Sequence, residues 1–154
     1  MRFFTRKLYD GLQEHLKLTD HEESERSFKT AGAAWDLARR QCEDYLLDVR
    51  ATLPSDILAL VESEFHDAVV VSATFVGQIL EIVLDTTSAP WSHIKPRVRL
   101  RFAGVTGVTG MDGIAGEWLL YDELFVGDAY YEYSVLLSRV EMSVRFRNVA
   151  IYQD

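Results

Sequence analysis

Cysteine is nearly missing from this chain. Its one thiol, Cys42, cannot close an internal disulfide, and without Cys pairs no thiolate zinc site can be built. Proline is scarce as well, with three in 154 residues, so little interrupts regular structure. Long apolar runs are absent too. No segment approaches the roughly 18 residues that span a bilayer. The start, MRFFTRKLYDGL, is broken by Arg2, Arg6, Lys7 and Asp10, unlike a secretory signal. A cytoplasmic protein without membrane contact is expected. Positive charge is also short: 16 Lys and Arg face 24 Asp and Glu, a net charge of −8. Residues 1–64 hold 13 acids and 9 bases, and residues 65–154 hold 11 and 7, which leaves −4 in each part. Phosphate neutralisation by Lys and Arg supplies most nucleic-acid affinity. A nucleic acid is therefore a poor partner, and a basic protein a better one.

A hydrophobic share of 48% with 12% aromatic residues is enough to bury a core, and the length suits a single domain, 1–154. Two textures divide it, a helical part over 1–64 and an antiparallel β part over 65–154. Phe4, Leu8, Leu12 and Leu16 recur every four residues and predict a first helix. LTDHEESE reads as a linker that offers caps in Thr19, Asp20 and Ser24. Phe28, Ala31, Trp35, Ala38, Cys42, Tyr45, Val49 and Leu53 follow a three-then-four spacing. That spacing predicts one long amphipathic helix over about 24–52, with its stripe on the protein's own core. Cys42 is then a small core residue. Pro54 ends this helix, and a shorter one starts at PSDILALVESE.

Beyond His66 the residues turn β-branched. AVVVSATFV and QILEIVL flank Gly77 as a hairpin, and a loop with two prolines and Trp91 follows. RVRLRF then alternates Arg97, Arg99 and Arg101 with Val98, Leu100 and Phe102. GVTGVTGMDGIAG, with its five glycines, reads as a loop. Three further strands bring the count to about six. The expected fold is α+β, with N-terminal helices followed by an antiparallel sheet that curls or closes into a small barrel.

Candidate sites are few. His66 and Asp67 are adjacent, and neighbours on an extended segment point to opposite faces, so they are expected to diverge and to serve as a structural junction. His15, His21 and His93 are the other histidines, and none has a histidine four residues away as a helical metal site requires. Tyr121, Asp122 and Glu123 sit inside LLYDELF as exposed alternating acids. With Trp118 and Asp128 they are the candidate partner-binding residues, since Tyr and Trp beside acids suit a cationic partner. The arginines of RVRLRF, with Arg145 and Arg147, are expected to pair across strands with Glu81, Glu132 and Glu141. The glycine loop lacks the Lys-Ser/Thr of a phosphate loop, no G-x-S-x-G elbow exists, and a helix-buried Cys42 is a poor nucleophile. No catalytic residue, metal or cofactor is assigned.

The opening MRFFTRKLYDGLQ resembles the start of an uncharacterised bacterial family, a domain of unknown function beginning Phe-Thr-(Lys/Arg)-x-Leu-Tyr. The resemblance resumes at FHDAVV, LRFAGV, EWLLYDEL and VEMSVRFRNVAI. It departs in the middle, where the relatives' longer charged insert shrinks to LTDHEESE. The His-Asp-Ala step before a small β domain is also similar to immunity proteins of bacterial polymorphic toxin systems. That likeness implies a non-enzymatic protein that binds and neutralises a cognate toxin. The alternative is a small-molecule or peptide-binding β domain, regulatory or housekeeping, or a weak hydrolase using His66. Oligomeric state is left open.

Overall fold

The computed structural model describes residues 1–89 and 96–153. Trp91 and His93 lie outside the described residues. Among the described residues, α1 (Arg6–Glu14), a 3-10 turn (His15–Lys17), α2 (His21–Arg50) and α3 (Ser55–Glu62) precede eight strands. The strands are β1 (Val69–Val76), β2 (Ile79–Asp85), β3 (Arg97–Ala103), β4 (Gly107–Thr109), β5 (Leu119–Val126), β6 (Tyr131–Leu137), β7 (Glu141–Phe146) and β8 (Asn148–Gln153). They form two antiparallel four-stranded sheets, ordered β1-β2-β3-β8 and β4-β7-β6-β5. The fold is α+β. The expected single curled sheet or barrel of about six strands is corrected to two sheets, neither closed: the glycine loop supplies the short strand β4, and the last segment divides into β7 and β8.

Alternation explains why two layers form. Val98, Leu100 and Phe102 of β3, Leu80, Ile82 and Leu84 of β2, and Tyr133, Val135 and Leu137 of β6 turn to one shared interior. Ile57 and Leu60 of α3, with Phe65 and Ala68, belong to the same core, so α3 caps one end of the sandwich. The outer face of β3 carries Arg97, Arg99 and Arg101. In register, Glu81 faces Arg101 and Asp85 faces Arg97, Glu81 approaches Arg99 at 4.0 Å, and Glu132 holds Arg145 at 2.6 Å. Glu141 does otherwise, accepting the backbone N–H of Arg6.

The expected linker is shorter than its polar composition suggests. Asp20 caps α2 by accepting from the Glu23 N–H at 2.8 Å, so His21–Glu25 already belongs to the helix. The stripe of α2 is covered unevenly. Ala38 and Cys42 are buried, and Trp35 and Tyr45 are partly covered, but Phe28 is 50% exposed and, among the described residues, has only the His15 ring as an aromatic neighbour. What α2 rests on is largely the N-terminal segment rather than the sheet. Phe4 lies between Trp35 and Tyr121, and Phe3 between Tyr45 and Phe125.

Candidate functional site

The two sheets are stitched together at the helix-to-strand junction. Phe65 is fully buried, and the Ala68 N–H returns to the Phe65 carbonyl at 2.9 Å. Asp67 takes φ 65, the left-handed conformation that Asp tolerates better than most residues. Its N–H then donates to the Leu119 carbonyl, and the Leu119 N–H donates to that of Ala68, both at 2.8 Å. The segment is a turn, not an extended strand. For that reason the expected divergence of His66 and Asp67 is wrong: His66 Nδ1 stands 3.1 Å from Asp67 Oδ2.

Beyond this turn lies an open cleft of about 480 Å³, lined by Val61, Ser63, Glu64, Phe65, His66, Leu120, Tyr121 and Asp122. The His66 ring meets Tyr121 edge-on, with centroids 5.4 Å apart. Tyr121 belongs to an aromatic cluster with Phe4, Tyr9 and Trp35. Burial raises its phenol above the ordinary range, with Tyr9 and Asp67 adding to the effect. Asp122 keeps partial exposure as a residue, yet burial of its carboxyl pushes its pKa up to about 7. The Tyr133 hydroxyl beside it opposes that rise, the Glu123 charge reinforces it, and His66 opposes it. Tyr133 itself is enclosed, and its phenol is raised well above 10, by burial first and by Asp122 second.

The expectation that Asp122 and Glu123 are exposed contact acids is corrected. Tyr121, Glu123 and Phe125 face the helices, whereas Asp122 and Leu124 turn inward, opposite Val135 and Tyr133 in the register with β6. Glu123 is 2% exposed. Its carboxylate accepts the N–H groups of Arg2 at 2.7 Å, Phe3 at 2.8 Å and Phe4 at 2.5 Å. It is an anchor for the N-terminal segment, and its burial keeps it out of reach of a partner. Charge-rich LLYDELF carries no signal of this, because the donors lie some 120 residues away in the chain. Trp118 and Asp128 are exposed, as a contact role requires.

A second feature was missed, the free edge of β1. Up to Val70 that edge is occupied: Val70 donates to the Glu117 carbonyl at 2.9 Å and accepts from the Gly116 N–H at 2.7 Å. A bulge at Val71 then breaks the register. From there to Val76, among the described residues, the only backbone partner is β2. This stretch, VSATFV, has no charge and no proline. Val71, Phe75, Val76 and Ile79 are all exposed, Phe75 by 42% and Val76 by 70%. Trp118, 45% exposed, is bridged to Val69 at the near end of the strand.

Chemically reactive alternatives are weak. Burial pushes the Cys42 thiol up to about 12, with Glu123, Asp122 and Glu43 adding to it. Among the described residues no group of three or more His, Cys, Asp or Glu is placed to hold a metal ion, and no helix is long and apolar enough to cross a membrane.

Fold and site together define an α+β protein, a two-sheet sandwich braced by helices, with an acid-lined junction cleft and a β1 edge that is bare from Val71 to Val76. Residues 15–150 match the family described as Protein of unknown function (DUF4085), and the chain belongs to that family. The matched region begins after the opening Phe3–Tyr9 motif. No curated protein matches the chain.

Proposed function

We propose that this is a non-enzymatic binding protein that captures a protein partner by strand addition along β1, and that it acts as an immunity protein against a cognate bacterial toxin. The observation that carries this reading is the free edge of β1. Natural sheets blunt their edges with charge, proline or a covering element. Here the bulge ends the covering at Val70, and six residues without charge follow. The two-residue turn at Gly77 and Gln78 makes Val76 and Ile79 a hydrogen-bonded pair. Ladder alternation then directs the N–H and C=O groups of Ala73 and Phe75 outward, where an incoming strand binds them. The exposed side chains and Trp118 supply the apolar contact, and the net charge of −8 favours a basic partner and speeds encounter.

The test pairs the purified protein with the product of the neighbouring gene, with affinity read by calorimetry and protection by assaying the toxin's activity. Val76→Lys and Ala73→Pro are expected to weaken binding at least tenfold while the far-ultraviolet circular dichroism stays native. Unchanged affinity in both variants would refute strand addition. Failure of the wild-type protein to bind or protect would refute the immunity role itself.

A further inference from the structure

The regular part of the bare β1 edge runs from Ser72 to Val76, between the bulge at Val71 and the turn at Gly77. Ser72, Thr74 and Val76 oppose Val83, Glu81 and Ile79 of β2. With Val76 and Ile79 as a hydrogen-bonded pair, alternation gives those three residues to the β2 ladder and leaves the N–H and C=O groups of Ala73 and Phe75 outward. Side chains alternate as well. Ala73 and Phe75 oppose the buried Ile82 and Leu80, while Ser72, Thr74 and Val76 share the outer face with Glu81 and Val83. An uncharged edge of this kind is open to pairing with another chain.

We infer that, in the free protein, this edge is covered by the same edge of a second copy, in an antiparallel pair with its two-fold axis beside Thr74. The dimer uses the bare edge on which the proposed function rests, and it adds a control: a partner's strand enters only when the dimer parts. Register singles out this arrangement. A two-fold at Thr74 sets Ala73 opposite Phe75 of the second copy, and Phe75 opposite its Ala73. Both are hydrogen-bonded pairs that exchange their N–H and C=O groups in full. Every residue between bulge and turn is used, with Ser72 meeting Val76 and Thr74 meeting Thr74. A two-fold at Ala73 would instead set Phe75 against the bulge, and one at Phe75 would set Ala73 against Gly77. Neither leaves a complete ladder.

Side-chain chemistry agrees with that register. The Phe75 ring, 42% exposed, lies across from a residue with only a methyl group. Thr opposite Thr is a favourable cross-strand pair, and neither strand carries a charge to face a like charge. Antiparallel direction also carries the Gly77 turn of one copy toward the Trp118 end of the other, so the exposed Val76, Ile79 and Trp118 meet near the rim. So short an interface makes the pairing reversible.

The test needs no partner protein. Sedimentation velocity on the purified chain over roughly 10–500 µM is expected to show a reversible monomer–dimer equilibrium. Ala73→Pro removes an outward N–H donor at an edge position that tolerates proline. It should weaken the dimer at least tenfold while the circular dichroism stays native. Thr74→Cys gives an independent reading. Opposed residues of a non-hydrogen-bonded pair have Cα atoms about 4.5 Å apart, inside disulfide range, so mild oxidation should yield a covalent dimer. The native Cys42 is buried and does not compete. Ser72→Cys should yield little, because Ser72 faces Val76 of the second copy. A monomer at every concentration, a dimer unaffected by Ala73→Pro, or equal cross-linking at positions 72 and 74 would overturn the inference. With no toxin in these measurements, their failure leaves the partner-binding reading to its own assay.

Discussion

Asp122→Asn offers a direct test of the cleft's electrostatics through stability. In the unfolded chain the carboxyl ionises near 3.8, while in the fold it holds its proton up to about 7. Between those values the unfolded state sheds a proton that the folded state keeps. Folding stability therefore falls as pH rises through this window, is unaffected below it, and levels off above it. At about 1.4 kcal/mol per pH unit, the window corresponds to about 4 kcal/mol. Water entering the open cleft screens part of this, leaving about 2–4 kcal/mol. Asparagine has nothing to ionise, so the variant should match the parent at pH 4 and exceed it by that amount at pH 8. The corresponding gain in Tm is roughly 5–15 °C for a domain of this size. Urea unfolding followed by tryptophan fluorescence at pH 4 to 8, on both proteins, gives the two curves. If they run parallel, the Asp122 carboxyl is ionised in the fold and the electrostatic account of the cleft is wrong.

Glu123→Ala should cost about 2–4 kcal/mol in urea unfolding, because three N–H groups lose a charged acceptor. The loss should also loosen the contact of α2 with β5, seen as faster amide exchange at Phe3, Phe4 and Trp35. Gly110→Ala should destabilise by about 2–4 kcal/mol: φ is 67 there, and an added Cβ would overlap the Glu141 carbonyl oxygen. Reduced Tm without change in the spectrum checks it. Cys42 should resist iodoacetamide in the native protein at pH 8 and react within minutes in urea, since a thiol raised to about 12 offers almost no thiolate. Native alkylation at a comparable rate would contradict its placement in the core.

The elements were legible where their determinants are local. Gly77 marks the β1–β2 hairpin, and the alternation of RVRLRF assigns inner and outer faces correctly. What could not be read depends on distant partners. Polar composition made LTDHEESE look like a linker, although the Asp20 cap recruits most of it into the helix. The split into two sheets depends on β8 pairing with β3 rather than continuing from β7, and no local pattern records that choice. His66 and Asp67 were expected apart because period-two geometry was extended one residue too far. A single left-handed residue reverses that result, and Asp carries no more than a modest bias toward it. The free edge of β1 has the same origin: VVVSATFV predicts a strand but not which of its edges is left bare.

Adjacent acids on β5 show how far identical chemistry can diverge under tertiary placement. Asp122 and Glu123 follow one another in sequence, and strand alternation sends them to opposite faces. On the helix face the backbone of residues 2–4 presents three donors, which replace water around Glu123 and let it be buried at 2% exposure. On the inner face Asp122 meets Val135 and Tyr133 across the ladder and receives no backbone donor, so burial shifts it toward its protonated form. One carboxylate is thus used to fix the N-terminal segment and, through Phe3 and Phe4, the long helix. The other has the Tyr133 hydroxyl as its hydrogen-bond partner and lines an opening about 480 Å³ in volume. A residue kept in that state lowers stability as pH rises toward neutrality. Removing that carboxyl in Asp122→Asn should therefore raise stability at pH 8, whereas removing its neighbour in Glu123→Ala should lower it.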